Sequence, residues 1–147
     1  GISLFVQGCP KPHCEGCFNS QAWDFKGGED LSDEKLSHFY QMIDRPYIKR
    51  ISILGGEPLC KQNIHKVTDI VKKCKEKFPE KEVWVWTRYN FEMDISSKEI
   101  AQYADYIVDG EFILEQKDLS LAFRGSKNQH IWEKQTDGTW KDKSDEM

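Results

Sequence analysis

Apolar residues fall in short bursts along this chain, and the bursts alternate between a two-residue and a 3.6-residue period. Residues 2–6 (Ile-Ser-Leu-Phe-Val) read as a buried strand that ends at Gln7-Gly8. A loop rich in Gly, Pro and Cys follows over residues 8–30. Residues 33–43 form a helix, with Ser32 as N-cap, Asp33 and Glu34 in the first turn, and Leu36, Phe39, Tyr40 and Ile43 on one face. Pro46 closes it. Residues 48–54 make a second strand, running straight into Gly55-Gly56-Glu57-Pro58. A longer helix over 62–77 puts Ile64, Val67, Ile70, Val71 and Cys74 on one face. Residues 82–87 are a third strand, 97–104 a short helix capped by Ser96, and 105–109 a fourth strand. Beyond residue 125 the pattern weakens, with a hairpin expected around Asp137-Gly138 and a charged, frayed tail after about residue 134.

Strands alternating with helices over this length imply parallel pairing through crossover helices, so the expected class is α/β. In such folds the loops that follow the strands gather at one sheet edge, where ligand sites are built. Cys9–Cys17, Gly55–Pro58, Thr87–Tyr89 and Asp109–Glu111 all follow strands and are expected to share that edge. Trp84 and Trp86 point to one face and are read as core.

At 147 residues the chain fits a single domain over 1–147. It opens on Gly1 and enters a strand at once, so a processed or cropped N-terminus is expected. Neither a signal peptide nor an apolar run long enough to span a bilayer is evident. A net charge of −4 argues against non-specific nucleic-acid binding. The lysines between Lys61 and Lys81 alternate with apolar residues, as on a solvated helix face. No role in nucleic-acid or membrane binding is therefore expected.

Cysteine use adds chemistry. Of five cysteines, three crowd into the stretch Gly8-Cys9-Pro10-Lys11-Pro12-His13-Cys14-Glu15-Gly16-Cys17. Without a secretory signal, such spacing points to metal or redox chemistry before disulfides, and to a reducing, cytoplasmic compartment. Three soft thiolates on a short loop favour an iron–sulfur cluster or zinc. Zinc would need a fourth ligand, and His13 adjoins Cys14 too closely for an easy tetrahedron. The same C-x4-C-x2-C spacing opens the plant-type [2Fe–2S] pattern, which needs a distant fourth cysteine, Cys60 or Cys74. Both of those look like packing residues. A cluster on three thiolates leaves one iron open, as catalysis requires.

Cys9-x4-Cys14-x2-Cys17 after a first strand and Gly55-Gly56-Glu57-Pro58 after a second resemble the radical S-adenosylmethionine superfamily. Its usual spacing is C-x3-C-x2-C, one residue shorter between the first two cysteines. Within it, the chain is similar to the branch that activates anaerobic ribonucleoside-triphosphate reductase. That likeness rests on Phe5–Pro10, Cys14–Asn19 with Trp23, Gly55–Leu59, Gln62-Asn63, Trp86–Tyr89, Val108–Gly110 and Phe123–Gln129.

The resemblance implies a partial radical S-adenosylmethionine-type βα barrel with parallel strands. It also implies a [4Fe–4S] cluster on Cys9, Cys14 and Cys17, with the fourth iron chelating S-adenosylmethionine. Gly55, Gly56 and Glu57 would meet the substrate amine, Phe18 would flank its adenine, and Thr87 and Asp109 would contact ribose or carboxylate. Arg124, Ser126 and Asn128 would close over the substrate or meet a partner. Chemistry of this kind would draw an electron from flavodoxin or ferredoxin and leave a glycyl radical on the large subunit of the reductase. Activation of another glycyl-radical enzyme, 7-carboxy-7-deazaguanine synthesis and ferredoxin-like electron carriage are the alternatives.

Overall fold

The computed structural model describes residues 2–6, 33–111, 113–118, 120–121 and 123–146. The expected loop over 8–30, Ser32 and the three clustered cysteines lie outside these residues. Strand β1 (Ile2–Val6) precedes helix α1 (Asp33–Ile43), β2 (Arg50–Gly55), α2 (Ile64–Lys77) and β3 (Glu82–Trp86). A π-helical turn (Phe91–Ile95) and a 3-10 turn (Glu99–Gln102) lead to β4 (Tyr106–Asp109). A 3-10 turn at Leu114–Gln116, then β5 (His130–Lys134) and β6 (Trp140–Asp142), follow, and Ser144–Glu146 form a last 3-10 turn.

The six strands form one sheet in sequential order. Strands β1 to β4 are mutually parallel, as the α/β pattern requires. The four strands expected are thus all parallel, and the last two are antiparallel to their neighbours, so the sheet is mixed. The cause lies in the connections. Among the described residues between β4 and β5 no helix long enough for a parallel crossover is formed, and the short turn through Gly138 (φ 88°) can join only antiparallel strands. That turn is the hairpin expected at Asp137-Gly138. It carries Trp140–Asp142 into the sheet, where fraying had been expected beyond about residue 134.

Both helices pack on one face of the sheet. Leu36, Phe39 and Ile43 of α1 and Val67, Ile70, Val71 and Cys74 of α2 join Ile51, Ile53, Val83, Val85 and Ile107 in a single buried cluster. The period-2 alternation sends Trp84, Val108 and Ile131 to the opposite face. There Trp84 stacks on Tyr106 with centroids 4.1 Å apart and on Trp86 at 5.7 Å. Lys81, buried, donates from Nζ to the carbonyls of Ile43 and Arg45, satisfying acceptors that α1 leaves open at its C-terminus.

The segment between β3 and β4 departs from the expected helix at 97–104. Asn90 caps the π turn through Oδ1, and the Ser96 hydroxyl donates to the Glu92 carbonyl, so Ser96 closes the π turn instead of opening a helix. Side-chain bonds to nearby backbone compete here with a regular helix.

Candidate functional site

The ends of the parallel strands are tied together by hydrogen bonds running across the sheet edge. Gly56 N–H donates to the Val6 carbonyl at 2.6 Å, joining the exit of β1 to that of β2. Gly55, at the end of β2, has φ 117°, a conformation that a side chain would strain. Thr87 N–H donates to Val108, and Gly110 N–H to Tyr89, joining the exits of β3 and β4. The expected convergence is therefore present for Gly55–Pro58, Thr87–Tyr89 and Asp109–Glu111. Cys9, Cys14, Cys17 and Phe18 lie outside the described residues.

Glu57 is the centre of this edge. Only 1% of it is exposed. Its Oε2 accepts from Leu59 N–H at 2.9 Å and from the Thr87 hydroxyl at 2.7 Å, and its Oε1 accepts from Arg88 N–H at 2.7 Å. The Glu57 carbonyl accepts in addition from the Asn63 side-chain amide at 2.9 Å. Burial pushes the Glu57 pKa above the ordinary carboxylate range, against the pull of its three donors and the nearby Arg88 charge. A buried carboxylate fixed by donors from two loops is held in one orientation. It also gains when a cation arrives.

Thr87 and Asp109 were expected to contact a ligand, and both are buried with protein partners. The Thr87 hydroxyl gives its proton to Glu57 and accepts Tyr89 N–H at 3.2 Å. Asp109 accepts from Phe91 N–H at 2.7 Å and from His130 N–H at 3.2 Å. Burial raises its pKa, and those donors with the His130 charge oppose the rise. Asp109 thus fastens the π turn and the start of β5 to the end of β4.

Cys60 and Cys74 are free, buried thiols. Cys74 sits in the helix-side core with its pKa pushed up to about 12 by burial, and burial likewise raises Cys60. Burial thus keeps both thiols protonated, and so unreactive, in the metal-free protein. Among the described residues no cluster of His, Cys, Asp or Glu could hold a metal ion.

A family model described as a 4Fe-4S single cluster domain matches residues 1–132, a span that includes Cys9, Cys14 and Cys17 and reaches into β5. The anaerobic ribonucleoside-triphosphate reductase-activating protein of Enterobacteria phage T4 is 37% identical over 142 residues, covering 95% of this chain and 87% of that protein. The chain belongs to this activating-protein family. Proteins of the same name from Haemophilus influenzae and Escherichia coli strain K12 are 37% and 34% identical over 132 residues. Each alignment covers 88% of this chain, with 84% and 85% of the respective relative. No solved structure matches.

The stretch Arg124–Gln129, one of those that suggested the activating proteins, is a fastening in this member. Arg124 donates to the carbonyls of Gln129 and Ser144, both at 3.1 Å. Gln129 Oε1 accepts from Gly125 and Ser126 N–H, while its amide donates to the Gly110 carbonyl at 2.9 Å. Ser126 donates to Asn128 at 2.6 Å, and Asn128 donates to the Glu111 carbonyl at 2.8 Å. These bonds clamp the loop after β4. Arg88 lies in the Thr87–Tyr89 loop expected at this edge, but its bond to Glu57 comes from the backbone, which side-chain identity cannot signal. No helix among the described residues is long and apolar enough to cross a membrane.

Proposed function

We propose that the chain is a radical S-adenosylmethionine oxidoreductase that activates the anaerobic ribonucleoside-triphosphate reductase by installing a glycyl radical on its large subunit. In this reading Cys9, Cys14 and Cys17 hold a [4Fe–4S] cluster, and the sheet is the partial barrel of that superfamily. A cluster held there would supply one-electron reduction of S-adenosylmethionine, whose S–C5′ cleavage would give methionine and a 5′-deoxyadenosyl radical able to take hydrogen from a reductase glycine. Flavodoxin or ferredoxin would deliver that electron in the cytoplasm.

The observation that carries this reading is the tie between Val6 and Gly56. The chain leaves β1 toward Cys9 beside the backbone that leads into the buried Glu57 carboxylate. Three soft thiolates suit iron–sulfur chemistry, and the packing of Cys74 among Val67, Ile70 and Val71 in the helix-side core supports a three-thiolate cluster with an open iron.

This chain's own residues then have distinct tasks. Gly55 and Gly56 let the backbone approach the substrate ammonium closely, and Glu57 offers it a carboxylate. Thr87 and Arg88 N–H hold that carboxylate in place. Phe18 would pack on the adenine. Asp109 ties together the loops beside the ligand through Phe91 and His130 N–H.

The test uses anaerobically reconstituted protein, dithionite and S-adenosylmethionine. Methionine and 5′-deoxyadenosine should be released, and adding the reductase should give a doublet radical signal by electron paramagnetic resonance. Replacing the reductase's radical glycine by alanine should remove the signal and spare the cleavage. Release of neither product would refute the reading in favour of an electron carrier. A radical formed only on another glycyl-radical enzyme would refute the partner.

A further inference from the structure

Helix α2 concentrates positive charge on an otherwise acidic molecule. Residues 61–77 contain six lysines against Asp69 and Glu76, a net +4 in a chain of net −4, which leaves −8 on the rest. Lys61, Lys66, Lys73 and Lys77 are all exposed. At 100° per residue, Lys66, Lys73 and Lys77 lie within about 40° of one another and form one stripe along the helix. Asp69 is engaged by Lys73 at 3.3 Å, which still leaves an excess of positive charge.

The stripe runs toward the edge that holds the site. Helix α2 begins just after Glu57-Pro58-Leu59-Cys60, so Lys61 and Lys66 stand at that end. Beside them a cleft of about 760 Å³ opens between α2 and the turns of the 91–102 segment. Lys61, Lys72 and Lys98 stand around it with Asp69, Asp94 and Glu99, over a floor that includes Leu59 and Ile95.

We infer that this lysine face is the docking surface for an acidic one-electron carrier protein, an inference that rests on the function proposed above. Two physical arguments select that occupant. A partner of negative charge is repelled by most of this molecule and steered to α2, which fixes its orientation. The reductase is a poorer fit, because hydrogen removal needs reacting atoms about 3–3.5 Å apart. The outer surface of a helix that covers the sheet is unsuited to such contact. An electron needs no such contact. The reduced carrier gives up one electron and is oxidised by one; the site bound by Cys9, Cys14 and Cys17 gains it.

The experiment compares wild type with Lys61→Glu/Lys66→Glu/Lys73→Glu and, as a milder set, the same lysines changed to Gln. Calorimetry with a flavodoxin should show the Kd rising about tenfold or more in the reversed variant, and in wild type on raising the salt. Cleavage of S-adenosylmethionine driven by reduced flavodoxin should fall similarly, while cleavage driven by dithionite stays unchanged. Unchanged affinity and unchanged flavodoxin-driven cleavage in folded variants would overturn the docking surface. So would intact carrier binding with loss of radical transfer to the reductase, which would assign the face to the reductase, or a variant that differs from wild type only in self-association. If dithionite drives no cleavage in wild type, the functional reading fails, and the calorimetric Kd still decides the docking surface.

Discussion

The Thr87 hydroxyl donates to the Glu57 carboxylate at 2.7 Å across 30 positions of sequence. Two parallel strands bring the pair together: β2 and β3 run in register, Ser52 beside Trp84 and Ile53 beside Val85, so their exits coincide. Thr87 is a positioning residue on this geometry. Its proton is committed to Glu57 and its oxygen accepts Tyr89 N–H.

Removing either partner separates holding from binding. Thr87→Val should lower stability by about 1.5–3 kcal/mol, the usual contribution of a hydrogen bond to a charged group. Affinity for S-adenosylmethionine should fall less than in Glu57→Gln, which keeps the shape but removes the charge offered to the ammonium. Urea denaturation and equilibrium binding read the two effects. Equal losses of affinity would indicate that Thr87 touches the ligand directly.

The protonation of Glu57 gives a pH signature. Its folded pKa is raised above its unfolded value, so its contribution to stability is fully present below the unfolded pKa of about 4.5. That contribution is lost as pH rises through the folded pKa. Wild type should therefore lose stability relative to Glu57→Gln as pH rises from that range. A difference independent of pH would show that burial does not govern this carboxylate.

The cysteines should divide into two groups. Cys9→Ala, Cys14→Ala and Cys17→Ala should each abolish the brown chromophore and lower bound iron after anaerobic reconstitution. Cys60→Ala and Cys74→Ala should retain both. In native protein at pH 8, Cys60 and Cys74 should resist iodoacetamide, because both thiols are buried and Cys74 has a pKa near 12. Loss of the cluster in either of the last two variants would restore the four-cysteine arrangement.

The clamp on the loop after β4 predicts a stability effect. Gln129→Ala leaves Gly125 N–H, Ser126 N–H and the Gly110 carbonyl without their partner, a loss of about 1–3 kcal/mol. Gly110→Ala should also destabilise, by more than about 1 kcal/mol, because its φ of +98° strains any residue with a Cβ. Chemical denaturation measures both. A Gln129→Ala variant of unchanged stability that no longer binds the reductase would return Arg124–Gln129 to a partner role.

Much of the architecture is legible in local pattern, because burial on one face imposes its period on the nearby residues. Leu36, Phe39 and Ile43 announce α1, and Val67, Ile70, Val71 and Cys74 announce α2; all seven are buried. The π turn at Phe91–Ile95 is not announced, since Asp109 and Asn90 hold it by single hydrogen bonds to Phe91 and Met93 N–H. Those bonds leave no periodic trace.

The sequence by itself determined the alternation of helices and strands, the close spacing of Cys9, Cys14 and Cys17, and the loops that follow the strands. Period and ligand spacing are properties of neighbouring residues. Tertiary structure alone decided that Glu57 is buried between Thr87 and Arg88, that Asp109 faces Phe91 and His130, and that β5 and β6 run antiparallel. Those outcomes depend on the register between strands and on backbone donors, which every non-proline residue carries alike.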